Sequence, residues 1–194
     1  AEHFAKANPT HTIRFIAFGA EEIGLHGAIE VVERMSEQER AATLWMVNMD
    51  SIVTGDTFYF HAGPKTYAKD PRAGHARDRA LAIAAQLGIK AGTNPGLNKD
   101  FPKGTGCCSD QAAFDERGIP VVNLEATNWT RGDKDGYQQT AKSECFASGY
   151  SWHLIDIDNG AHLDKCLPGR LEQRTRDAMR IMVPLMEALA EVKR

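Results

Sequence analysis

Apolar runs that end in acidic side chains constrain this chain more than any other feature. Thr12–Phe18 (TIRFIAF) alternates, is rich in β-branched and aromatic residues, and leads through Gly19-Ala20 into Glu21-Glu22. Leu44–Asp50 (LWMVNMD) stays mostly apolar until its terminal carboxylate, and Ile119–Glu125 (IPVVNLE) is a third such run. Short runs of this kind suit buried strands of a largely parallel sheet. Thr57–His61 reads as a further short strand. Helical segments lie between them: the end of a helix before Pro9, then Ala28–Met35, Arg72–Leu87 with Gly88 as its C-cap, and Asp110–Arg117 closed by Gly118. Ser36 as N-cap with Glu39 at N3 spells a capping box. Leu171, Ala178, Ile181, Met182, Leu185 and Leu189 recur at helical spacing and predict an amphipathic helix over 169–193, kinked at Pro184. Strands alternating with helices predict an α/β fold, a mixed and mostly parallel sheet sandwiched by helices. Residues 92–109 and 127–166 read as loops, and so long a late segment is more often functional than idle.

Charge and hydropathy narrow the function. Lys and Arg number 23 against 26 Asp and Glu, a net charge of −3. That balance offers no electrostatic footprint for nucleic acid or an anionic membrane, and no apolar run nears the roughly 20 residues that span a bilayer. With 42% hydrophobic and 25% charged residues, the composition is that of a folded domain. The absence of repeats and linkers predicts one domain over residues 1–194.

The acidic and imidazole groups that follow the strands are the candidates for chemistry, because ligands in open α/β sheets gather beyond the carboxyl ends of strands. Glu21 and Glu22 are adjacent, so on a regular face they cannot share a task. On a turn they can diverge, one holding a metal while the other handles a proton beside it. They also suit a helix N-terminus, where the dipole favours carboxylates. Asp50 closes an apolar strand and needs a partner, a turn to cap or an ion. His153, with Asp156 and Asp158 behind it, and His162, beside Asp164, each have a carboxylate to orient the second ring nitrogen of a metal-bound imidazole; each is equally readable as structural or solvated.

At this point the residues resemble a known family. Phe15–Ala28 (FIAFGAEEIGLHGA) is similar to the signature of the co-catalytic di-zinc aminopeptidases of the bacterial leucyl aminopeptidase type, an apolar strand leading into Gly-Ala-Glu-Glu-x-Gly-Leu-x-Gly-Ser. Asn48-Met49-Asp50 resembles the family's Asn-Leu-Asp, and Ser109-Asp110-Gln111-Ala112-Ala113-Phe114 with Gly118-Ile119-Pro120 resembles its Ser-Asp-His-x-x-Phe and Gly-Ile-Pro segment. The stretch Asn128–Gln139, with Cys107-Cys108, most resembles a secreted bacterial member.

The resemblance implies a zinc-exopeptidase fold of the phosphorylase/hydrolase-like type and an aminopeptidase acting on the N-terminus of a peptide or protein. It implies Glu21 as general base toward a metal-activated water, and Glu22 and Asp50 as ligands of separate zinc ions. A late His completes the second ion; His153, after an aromatic residue and ahead of Asp158, fits the family pattern better than His162. The family's upstream His-x-Asp motif has no counterpart before Ala20, so the chain is expected to be the C-terminal part of a catalytic domain, inactive alone. Gln111 stands where the family has His. Two other readings compete: a glutaminyl cyclase-like zinc transferase, and a metal-free binding domain of protease-like fold.

Four cysteines form no C-x-x-C pair, which argues against a zinc knuckle. Cys107 and Cys108 are adjacent and do not easily bond to each other without strain, and one of them could bridge to Cys145 or Cys166; in an oxidising compartment at least one bond is expected among Cys107, Cys108, Cys145 and Cys166. The resemblance implies a periplasmic or secreted location.

Overall fold

The computed structural model describes residues 1–193. Its elements are α1 (Glu2–Ala5), α2 (His26–Arg34), α3 (Glu37–Ala42), β1 (Met46–Met49), β2 (Thr57–Ala62), α4 (Pro64–Lys69), α5 (His75–Gln86), β3 (Ala91–Gly92), α6 (Gln111–Glu116), β4 (Val121–Thr127), α7 (Gly160–Cys166) and α8 (Arg170–Leu189). The strands form one sheet in the order β1-β4-β2-β3. β1 runs parallel to β4, and β2 runs antiparallel to β4 and parallel to the two-residue β3. The sheet is therefore mixed, with two of its three pairings parallel.

Alternation along β2 and β4 decides what each face carries. Phe58, Phe60, Val122, Leu124 and Ala126 point to one face and pack with Ala76, Ala80, Ile83 and Ala84 of α5 and Ala178, Ile181, Met182 and Leu185 of α8. Those are four of the six positions that the spacing of α8 marked; Leu189 is partly buried against the same core, Leu171 is exposed, and the helix runs through Pro184 as one element. The opposite face begins apolar, with Val121 under Ala28 and Val32 of α2 and Ala113 and Phe114 of α6. Further along it turns polar: Asn48 of β1 donates to Oδ1 of Asn123, and Glu125 of β4 faces His61 of β2. This polar row leads to the carboxyl ends of β1 and β4.

The capping box of α3 forms as read, with the Glu39 N–H donating to Ser36 Oγ and the Ser36 N–H to the Glu39 carboxylate. Two features were absent from the sequence reading. The start of the expected Arg72–Leu87 helix is a 3-10 turn over Pro71–Gly74, preceded by α4. Asp115 of α6 accepts from the N–H groups of Lys65 and Thr66 and so caps α4 from a distance of about fifty residues. α7 lies inside the segment read as loop, with Asn159 as N-cap.

The expected strand Thr12–Phe18 is not one; the segment is irregular, and Phe15 and Ile16 are 51% and 42% exposed. A strand is held by its ladder and by a buried face. Among the described residues the outer edge of β1 has no strand beside it, so this segment has neither.

At least one bond among the four cysteines was expected and two form, but the adjacent pair bonds where strain argued against it. Cys107 bonds to Cys108 and Cys145 to Cys166. The two pairs lie in different parts of the fold, and neither Cys107 nor Cys108 bridges to Cys145 or Cys166.

Candidate active site

Glu21 and Glu22 sit on a tight turn between the irregular segment and α2. The N–H groups of Gly24 and Leu25 donate to the Glu21 carbonyl, those of His26 and Gly27 to the carbonyls of Ala20 and Gly19. The glycines are there for geometry. Gly24 has φ +118°, closed to most side chains, and a Cβ on Gly27 would lie 2.4 Å from the Gly19 carbonyl oxygen. On this turn the two carboxylates diverge. Glu21 is half-buried beside Asp50, whereas Glu22 is exposed and its Oε2 lies 2.9 Å from Nε2 of His153.

Asp50 is placed by β1. Its N–H donates to the Leu124 carbonyl of β4, just beyond the last ladder pair, and Ser51 Oγ donates to its carboxylate. His153 is placed by its neighbour Ser151, which is fully buried. The Ser151 N–H donates to Gln139, and its hydroxyl meets Thr54 at 2.8 Å and Asp158 at 3.1 Å. Asp158 therefore orients Ser151 and not the His153 ring, contrary to the sequence reading. Trp152 packs against Tyr137, which packs in turn on Tyr150. His162 belongs elsewhere: its Nε2 lies 3.1 Å from the Cys145 carbonyl and 3.5 Å from Cys166 Sγ, and its ring meets Phe146. The fold thus sets His153 against Glu22, leaves Glu21 within electrostatic reach of Asp50, Glu22 and His153, and seats His162 on the Cys145–Cys166 bridge.

Asp110 joins this group, and the sequence reading did not single it out although it lies in the Ser109-Asp110-Gln111 motif. Burial raises the Glu21 carboxyl above its ordinary value, and the charges of Asp50, Glu22 and Asp110 add to the rise while His153 opposes it. Burial and then Asp50 raise Asp110 in the same way. Asp110 Oδ1 is buried and has no hydrogen-bond partner. A buried amide network holds the floor: Asn48 Nδ2 lies within 3.1 Å of Ser109 Oγ, Gln111 Oε1 and Asn123 Oδ1, and Gln111 Nε2 donates to the Cys107 carbonyl. Gln111 is thus a fully buried link between strand and loop.

Backbone strain marks the same place. Ala20, Ser51, Cys108 and His153 all have positive φ without being glycine, and each is at or within two residues of Glu21, Asp50, Asp110 or His153. Residues held in this region cost free energy and gather where geometry is functional.

The donor set is carboxylate oxygen and imidazole nitrogen, which suits zinc. Mutual repulsion among four carboxylates and an orphaned carboxylate oxygen are what a divalent cation relieves. The residues present therefore fit the ion by chemistry, although among the described residues no three His, Cys, Asp or Glu side chains converge as a closed site requires.

Comparisons with known proteins agree on the setting. The profile of peptidase family M28 matches residues 1–178. The alkaline phosphatase isozyme conversion protein of Escherichia coli is 51% identical over 193 residues, which are 98% of this chain and 55% of that protein. A glutamate carboxypeptidase 2 homolog of Caenorhabditis elegans is 27% identical over 162 residues, 78% of this chain and 20% of that protein. The chain thus spans about half or less of the length of these relatives. Among solved structures, BSAP, a zinc aminopeptidase from Bacillus subtilis, superposes with a TM-score of 0.65 at 21% identity, covering 97% of this chain and 38% of its own. That likeness shows that the mixed α/β fold is shared.

Proposed function

The chain belongs to peptidase family M28, and from that premise we propose that it is the part of a zinc aminopeptidase that carries the general base and three metal ligands. The observation that supports the reading is the contact of His153 with Glu22 at 2.9 Å, beside a Glu21 whose carboxyl feels Asp50, Glu22 and His153. Glu22, Asp50 and His153 would hold zinc, in a parent site of two ions. Bound zinc polarises the scissile carbonyl and lowers the pKa of water toward neutrality.

The protein's own groups do the rest. Glu21, half-buried with its carboxyl raised by burial and by its acidic neighbours, is set to take a proton from the attacking water and return it to the leaving amine. Glu21 is half-buried beside Asp50 whereas Glu22 is exposed against His153, which keeps base and ligand separate. The β1–β4 pairing fixes Asp50, and the Thr54–Ser151 contact fixes the loop bearing His153. Tyr137, Tyr150 and Trp152 stand beside His153 as a wall for substrate.

The substrate class we propose is the N-terminus of peptides or proteins, and the location periplasmic or secreted, in keeping with the two disulfides. Residues 1–194 alone are expected to be inactive, because the site would lack ligands for two preformed ions. The test is zinc content and hydrolysis of an aminoacyl anilide by the whole protein and by this chain. Two equivalents of zinc and turnover in the whole protein alone support the reading. Release of ammonia from an N-terminal glutaminyl peptide, without a new hydrolytic N-terminus, would move it to the cyclases. Absence of bound zinc from the whole protein would leave a binding domain.

A further inference from the structure

Cys107 and Cys108 lie in the loop that delivers Asp110 to the acidic site, and they differ from the other cysteine pair in every respect that governs reactivity. Cys107 and Cys108 are neighbours in the chain, so their bridge closes a small ring through a single peptide unit, whereas Cys145 and Cys166 are 21 residues apart. Cys108 is exposed and held at φ +83°, a conformation a free cysteine rarely adopts. Cys166 is buried, with Phe146 and Leu163, in a small core of its own.

The chain is clamped on both sides of this pair. Upstream, Gly106 lies so close to the His61 ring that a Cβ there would be 2.7 Å from its Cγ. Downstream, Ser109 and Gln111 are tied to Asn48, and Gln111 also holds the Cys107 carbonyl. Cys108 is the exposed residue between these ties, and Asp110 lies between the tied Ser109 and Gln111. Asp110 Oδ1 has no hydrogen bond to fix it, so the backbone of this loop sets its place.

We propose that the Cys107–Cys108 bridge is a redox modification site, opened selectively by a dithiol reductant, and that its opening loosens the ties that hold the loop around Asp110. A thiolate of the reductant attacks one sulfur and breaks the Cys107–Cys108 bond, giving a mixed disulfide. The reductant's second thiol resolves it. Two electrons and two protons pass to the protein, leaving two thiols there and an oxidised, cyclic disulfide on the reductant. Once the ring is open, Cys108 relaxes out of the left-handed region, and the ties of Cys107 to Gln111 and of Ser109 to Asn48 on either side of it weaken.

The consequence for turnover rests on the aminopeptidase reading; the chemistry of the bridge does not. The whole protein is treated with increasing dithiothreitol, alkylated, and mapped by mass spectrometry. Cys107 and Cys108 are expected to alkylate at about tenfold less reductant than Cys145 and Cys166, because exposed and strained bridges are the labile ones. Amide exchange over 107–114 should rise in the reduced protein and in the double variant Cys107→Ser/Cys108→Ser. Without reductant, which would chelate zinc, that variant should cleave an aminoacyl anilide on the order of tenfold more slowly than wild type, the scale of a small displacement. If both bridges open together, or if exchange over 107–114 is the same with the bridge closed and open, the proposal is overturned. If thiol order and exchange behave as expected while neither form cleaves the anilide, the aminopeptidase reading fails and the redox site stands.

Discussion

At the level of single residues, the acidic cluster sets opposed demands that mutation separates. Glu21→Gln removes the base and leaves the ligands, so the whole protein should keep its zinc and lose about 10²–10⁴-fold in turnover. Glu22→Gln should weaken zinc first; equal zinc loss in both variants, read by chelator competition, would refute that division. His153→Ala should likewise lower zinc affinity, whereas His162→Ala, which removes a contact to the Cys145–Cys166 bridge, should leave it unchanged. The cluster also has a pH signature. Glu21 and Asp110 have folded pKa values raised above 4.5 and 3.8, so the folded state binds protons more readily than the unfolded one. Stability of the metal-free protein must then fall as pH rises from those ordinary values through the folded ones. Asp110→Asn removes one of the repelling charges and should make metal-free protein more stable at neutral pH, with the gain vanishing below the ordinary values, where the carboxylates are protonated anyway. Urea midpoints across pH measure this. A variant less stable than wild type at neutral pH would show that Asp110 has a favourable partner in the folded state.

At the level of elements, the turn before α2 leaves no room for a side chain at its closest backbone approach. Gly27 lets the first turn of α2 approach the backbone of Gly19. Gly27→Ala would force them apart, at a cost of about 1–3 kcal/mol in overpacking, and would shift the two glutamates that the turn aims. The expected result is a lower unfolding midpoint together with loss of zinc. Ser36→Ala is the control: it removes the cap of the exposed α3, costs about 1 kcal/mol, and should leave zinc binding alone. That two adjacent glutamates can diverge on a turn was legible in the sequence, because it concerns neighbouring residues alone. The α4 cap was not, because its acceptor, Asp115, comes from another element.

At the level of the whole molecule, the long segment after β4 is held by contacts that no local rule marks. Ser151 reaches Thr54 across the fold, Trp129 donates to Glu125, and the Cys145–Cys166 bridge ties the segment to α7. Replacing both cysteines of that bridge by serine should cost about 3 kcal/mol for a loop of this length, measured as a shift in the urea transition with zinc stoichiometry retained. Periodicity and capping alone determined the α/β class, the buried faces of β4 and α8, and the places of Glu21, Glu22 and Asp50 after apolar runs, because burial and hydrogen-bond geometry act on near neighbours in the chain. Only the tertiary structure decided that residues 12–18 stay irregular, since a strand exists only beside another strand. Only it decided which histidine meets Glu22, since His153 and His162 have similar local company and differ in what the fold sets against them. The same holds for Asp110: its carboxylate became part of the site through Asp50, sixty residues away, and electrostatic repulsion is a property of distance in space, which the order of residues does not record.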